Sequence, residues 1–191
     1  MTSFVSLGTF MVLGILAPVL ATGQEPIVLD TNPPPAAAPR TTVGTYGKAR
    51  AGYDKFTGQT YANSEPISLK IGDSGWGSLT AGFTSKGDGI VKPDRITLHV
   101  FTAARDRTFV DNPDVILLAD GLTIFNDKAK ITDARTNGSA VYTNLEVIIT
   151  LIDFQRIVKA ERFGIAVGPL QWFIPKAELS KFNDLLGLFL H

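Results

Sequence analysis

The chain of 191 residues contains no cysteine. That absence excludes disulfides, thiolate nucleophiles, cysteine-ligated zinc or iron–sulfur centres, and lipid attachment through a thiol. Histidine is nearly as scarce, with two residues, so a histidine-rich metal site is excluded as well. Charge is thin and balanced: 18 basic residues meet 18 acidic ones, and charged residues make up 19% of the chain, below the usual quarter. Without clustered Lys and Arg there is no electrostatic footprint for nucleic acid. What is present in quantity is apolar side chain, 45%, together with 18 Gly and 11 Pro. Such a composition fits a globular domain with a real core and many turns.

Phe4 to Leu20 carries no charge and ends in the small residues Ala21-Thr22-Gly23. A run of this length with a late proline and a small-residue exit predicts a secretory signal over residues 1–23, removed after Ala21 or Gly23. No Lys or Arg precedes the run, so an N-terminal membrane anchor is the alternative. Gly8, Gly14 and Pro18 interrupt it and weigh against a stable span. The expected location is therefore secreted or periplasmic, with no membrane span after cleavage. Residues 24–40 include Asn32-Pro33-Pro34-Pro35-Ala36-Ala37-Ala38-Pro39, a lead that favours extended polyproline geometry and builds no core. It reads as a linker, either a spacer or an exposed lead-in.

Residues 41–191 read as one β-rich domain. Asp54 to Gly58 punctuates apolar segments at 43–53 and 57–64. Arg95–Ala103 alternates, with Ile96, Leu98 and Val100 on one side and Thr97, His99 and Phe101 on the other. Asp120-Gly121, Asn137-Gly138 and Gly168-Pro169 separate further strand pairs, and Asp-Gly is among the strongest hairpin signals. A short strand is expected at Ser78–Thr84 between glycine-rich stretches. Two helices break the pattern. One is short, near 153–160, with Asp153 as its cap and Phe154, Ile157 and Val158 on a stripe. The other lies near 176–190 behind Pro175, with Leu179, Phe182, Leu186 and Phe189 facing a sheet and Lys181 and Asn183 facing water. With no βαβ alternation, the expected fold is mainly β: an antiparallel sheet or two-sheet sandwich with these two helices.

The chemistry-bearing motifs are incomplete. Gly72-Asp73-Ser74-Gly75-Trp76-Gly77 resembles a nucleophile elbow but has Trp76 where the second glycine is needed. Gly87-Asp88-Gly89 completes neither a dinucleotide turn nor a phosphate loop. His99 sits mid-strand and reads as a partly exposed sheet residue, and His191 closes an amphipathic helix. Asp106, Asp111, Asn112 and Asp114 lack calcium-loop spacing and read as a solvated loop. No catalytic residue, metal or cofactor is assigned. The aromatic side chains carry the remaining signal: Trp76 in a glycine-rich loop, and Tyr53, Phe56 and Tyr61 around the first hairpin are candidate ligand-binding residues.

The segment Gly52-Tyr53-Asp54-Lys55-Phe56-Thr57-Gly58-Gln59-Thr60 resembles a Tyr-Asp-x-Phe-x-x-x-Thr opening in uncharacterised exported bacterial proteins. The later order is similar to theirs too: the strand pair at Asp120-Gly121, the helix ending Lys159-Ala160, Phe163 to Gly168, and a closing helix. Those proteins have no assigned activity, and their motif residues look like turn and packing positions, so the resemblance transfers no functional residue. Two functions are expected from different classes. The first is an exported, non-catalytic module that binds a protein or glycan of the cell envelope. The second is a secreted hydrolase whose carboxylates, or Ser74, assemble only in the fold.

Overall fold

A computed structural model describes residues 41–190 apart from Ser74 and Asp106. The expected signal and the proline-rich lead, with Ser74 and His191, lie outside the described residues. Among the described residues, twelve strands form two antiparallel sheets. The chain begins with β1 (Thr41–Tyr46), β2 (Ala49–Asp54) and β3 (Gln59–Asn63), joined by tight turns at Gly47 and Gly58, both at positive φ. The apolar segment expected at 43–53 is thus two strands, because Gly47 turns the chain inside it. β4 (Ile67–Ile71) and β5 (Gly75–Lys86) follow, then β6 (Arg95–Ala104) and a single helical turn, α1 (Thr108–Asp111).

β5 is a twelve-residue strand rather than the short one expected at 78–84. On one side it pairs with β4 through Gly75–Leu79 and then with β3 through Gly82–Lys86; its other side pairs with β6. After α1 come β7 (Asp114–Ala119), β8 (Leu122–Lys128), β9 (Lys130–Asn137) and β10 (Ala140–Thr150). α2 (Leu151–Lys159), β11 (Arg162–Val167), β12 (Leu170–Pro175) and α3 (Lys176–Gly187) complete the described chain. The large sheet runs β1-β2-β3-β5-β6-β10-β9 with β4 beside β5, and the small one runs β12-β11-β7-β8.

The inner faces of the two sheets share one core. Leu79, Leu98, Val100 and Leu145 of the large sheet and Val115, Leu117, Phe163 and Ile165 of the small one belong to a single buried cluster. One side is closed by the chain itself. β8 is one edge of the small sheet and β9 one edge of the large one, and only the buried Ala129 separates them. Both edge pairings slip by one residue, at Leu117/Leu118 and at Asn144/Leu145, as bulges commonly do at sheet margins.

Helices α2 and α3 also join this cluster. α2 starts at Leu151, two residues before the expected site, because Thr150 caps it: Thr150 Oγ1 accepts from the Asp153 backbone N–H at 3.1 Å and donates to the Asp153 carboxylate at 2.7 Å. Asp153 is thus the cap's partner. Pro175 stands at the N-cap of α3 rather than inside its first turn. Leu179, Phe182 and Leu186 are buried as expected, joined by Leu185, and Phe182 packs on Phe154 with ring centroids 5.4 Å apart. Phe189 is half-buried, edge-on to Phe83 at 5.4 Å. Lys181 does not stand free in water. Its side chain is only 20% exposed, and its ammonium donates to the Glu178 carboxylate and to the Pro66 carbonyl. No helix among the described residues is long and apolar enough to cross a membrane.

Candidate functional site

Strand alternation sorts the large sheet into a sealed face and an open one. On β6, Ile96, Leu98 and Val100 are buried, while Thr97, His99 and Phe101 are half-exposed on the opposite side. Register carries that open face across neighbouring strands. Trp76 of β5 stands opposite Ala103, which in turn stands opposite Tyr142 of β10. One pair further along, Ser78, Phe101 and Asn144 align, and then Thr80, His99 and Glu146. The result is an aromatic row at one end of the face. Trp76 lies 5.0 Å from Phe101, and Phe101 lies 6.2 Å from Tyr142, measured between ring centroids. Trp76 is 56% exposed, although it belongs to a regular strand.

A polar trough adjoins the row. A hollow of about 240 Å³ is lined by Tyr61, Asn63, Thr97, His99 and Glu146, among others. A second, of about 320 Å³, shares Tyr61, Asn63 and Thr84 with it and extends to Asp54 and Gln59. Two glycines make the floor. A side chain at Gly52 would collide with the Tyr61 ring, and one at Gly82 would collide with the Asn63 amide, so both polar groups lie flat across the sheet. His99 Nδ1 is 3.6 Å from Glu146 Oε1, and Lys130 Nζ is 3.9 Å from the other carboxylate oxygen. Positive and negative charge on this face are therefore matched locally.

The four aromatics singled out from sequence fall in different places. Trp76 anchors the row, and Tyr61 lies in the trough. Tyr53 is half-buried and opposes the fully buried Thr60, which places it on the sealed side of the sheet. Phe56 is 73% exposed at the tip of the β2–β3 turn, where its N–H donates to Asp54 Oδ1 at 2.9 Å. Phe101 and Tyr142 were not among the candidates. The alternation of β6 had put Phe101 on the open side with His99, but nothing local couples it to Tyr142, 41 positions later.

The two carboxylates lining the trough do not converge. Asp54 and Glu146 occupy strands four places apart in the sheet, hence about 19 Å at the usual strand spacing. Glycoside hydrolysis needs its two carboxyl groups roughly 5–9.5 Å apart. No three His, Asp or Glu side chains among the described residues are grouped to hold a metal ion. Compared with known families, curated proteins and solved structures, the chain shows no match to any of them.

Proposed function

We propose that the chain is an exported, non-catalytic binding domain, and that its open sheet face takes a glycan of the cell envelope. The observation that supports this most directly is the row Trp76–Phe101–Tyr142 beside a neutral polar trough. Flat rings offer apolar area at low entropic cost, and sugar rings present an apolar face edged with hydroxyls. Asn63, Thr97 and Tyr61 supply hydrogen-bonding groups beside the platform, and the Glu146 carboxylate is matched by Lys130. The apolar N-terminal run and its small-residue exit support export. The hydrolase alternative is not supported by the separation of Asp54 from Glu146.

Affinity electrophoresis through gels containing envelope polysaccharide or soluble peptidoglycan fragments tests the reading. The unmodified chain is expected to be retarded, and Trp76→Ala to lose about tenfold or more in affinity, the cost of truncating a central aromatic anchor. If no glycan retards the chain, or Trp76→Ala migrates like the parent, the glycan reading fails. Export has its own test. N-terminal sequencing of the extracytoplasmic protein should begin at Thr22 or Gln24, and an intact Met1 in a membrane fraction would count against it.

A further inference from the structure

A second site lies away from the open face, between the two sheets. Three connections meet there: the β4–β5 turn at Gly72-Asp73, the β6–α1 link at Arg105, and the β11–β12 turn at Gly168-Pro169. They border a half-open pocket of about 300 Å³. Its walls are apolar. Ile71 and Ala104 come from the large sheet, Pro169 and Leu170 from the small one, and Phe109 from α1. Phe109 is 2% exposed and belongs to the core, so the pocket continues the core outward. The wall is braced nearby by the Trp172 indole of β12, which donates to the Lys70 carbonyl of β4 at 2.6 Å. Ligand pockets commonly occupy such sandwich and barrel mouths, and this volume is at the small end of their range.

The polar groups choose the ligand. Asp73 and Arg105 both line the pocket, both are exposed, and neither joins a salt bridge with the other or with any described residue. Among the described residues, then, neither of these two opposite charges at the rim has an ion-pair partner. A simple fatty acid would meet Arg105 but face Asp73, and an amine would do the reverse. A molecule with a carboxylate and an ammonium on one carbon, and an apolar tail, satisfies all three features. The volume equals about ten waters at ~30 Å³ each, enough for one leucine or phenylalanine.

We infer that this pocket binds a free apolar α-amino acid. The Arg105 guanidinium forks onto the carboxylate, Asp73 accepts from the ammonium, and the side chain lies among Ile71, Phe109 and Leu170. Gly72 makes the turn beside the pocket at φ +52°, a conformation that favours glycine.

Isothermal titration calorimetry on the full chain decides it, with leucine, isocaproate (leucine without its ammonium) and isoamylamine (leucine without its carboxylate). Leucine is expected to bind, and each truncated analogue to bind about tenfold or more weakly, the size of one lost charge-assisted contact. Arg105→Gln should weaken leucine about tenfold while leaving isoamylamine unchanged, and Asp73→Asn should weaken leucine while leaving isocaproate no weaker. Trp76→Ala should change none of these values. Absence of leucine binding, or isocaproate or isoamylamine binding as tightly as leucine, overturns the inference on the unmodified chain alone.

Discussion

Trp76 and Phe173 are exposed to nearly the same degree, 56% and 52%, on the outer faces of the two sheets. They are not equally available. The Arg162 guanidinium carbon stands 3.9 Å from the Phe173 ring centroid, and the underside of that ring rests on Gly164, where an added Cβ would come within 3.4 Å. Phe173 is thereby used within the fold, by a cation above and a glycine below. Trp76 has Phe101 at its flank and no described cation over its ring. Fractional exposure reports how much of a ring water touches. What identifies a contact surface is whether the ring's faces already have partners.

Four substitutions sharpen that contrast. The largest effect belongs to a ring with no exposure at all. Phe182→Ala should cost about 3–5 kcal/mol in chemical denaturation, since it empties the site against Phe154. Asp120→Ala should cost about 1–3 kcal/mol by the same measurement: Asp120 holds φ +49° beside Gly121, and its carboxylate accepts from the N–H groups of Glu161 and Arg162. Phe173→Ala should cost about 1 kcal/mol, through the lost Arg162 contact and the exposed Gly164, without affecting glycan retardation. Trp76→Ala should be the mildest for stability, within about 0.5 kcal/mol, yet the most damaging for retardation. If Phe173→Ala and Trp76→Ala proved interchangeable in both assays, partnered and unpartnered rings would not differ as argued.

The closing helix shows what a local pattern conveys and what it omits. The spacing of Leu179, Phe182 and Leu186 predicts its buried stripe, and all three are buried. Lys181 lies beside that stripe in sequence and reads as a solvent residue, but β4 starts at Ile67, just after Pro66, and brings the Pro66 carbonyl within 3.2 Å of its ammonium. Lys181→Ala is accordingly expected to cost about 0.5–1.5 kcal/mol rather than nothing, as denaturation would show. Hairpins are legible at Gly58, Gly121, Gly138 and Gly168, all at positive φ, but not at Gly47, whose positive-φ turn lies inside the segment expected at 43–53. The same residue misleads at the start of β5, where Gly75 and Gly77 are strand positions. At Gly77 a side chain would strike the Phe101 carbonyl, so glycine serves close backbone approach there, not a turn. The aromatic row was legible only in part. Its members come from β5, β6 and β10, and their alignment is a matter of register, which depends on every residue of the pairing and on no single motif.

The least buried strands, β8 and β9, have a consequence for behaviour in a crowded compartment. Each is one free margin of its sheet, opposite β12 and β1 respectively, and a free margin is a row of unsatisfied amides that invites another chain to add itself. Here the margins carry Asp127, Lys128, Lys130, Asp133 and Arg135, and the slips that leave Ile124 and Thr132 out of register bend each ladder away from the flat geometry an added strand requires. A chain with 45% apolar residues and little net charge has few other defences against self-association. Its colloidal behaviour therefore rests on the part of the molecule that contributes least to the core, and replacing Asp133 and Arg135 by valine should produce fibrils or precipitate from a protein whose unfolding midpoint has barely moved.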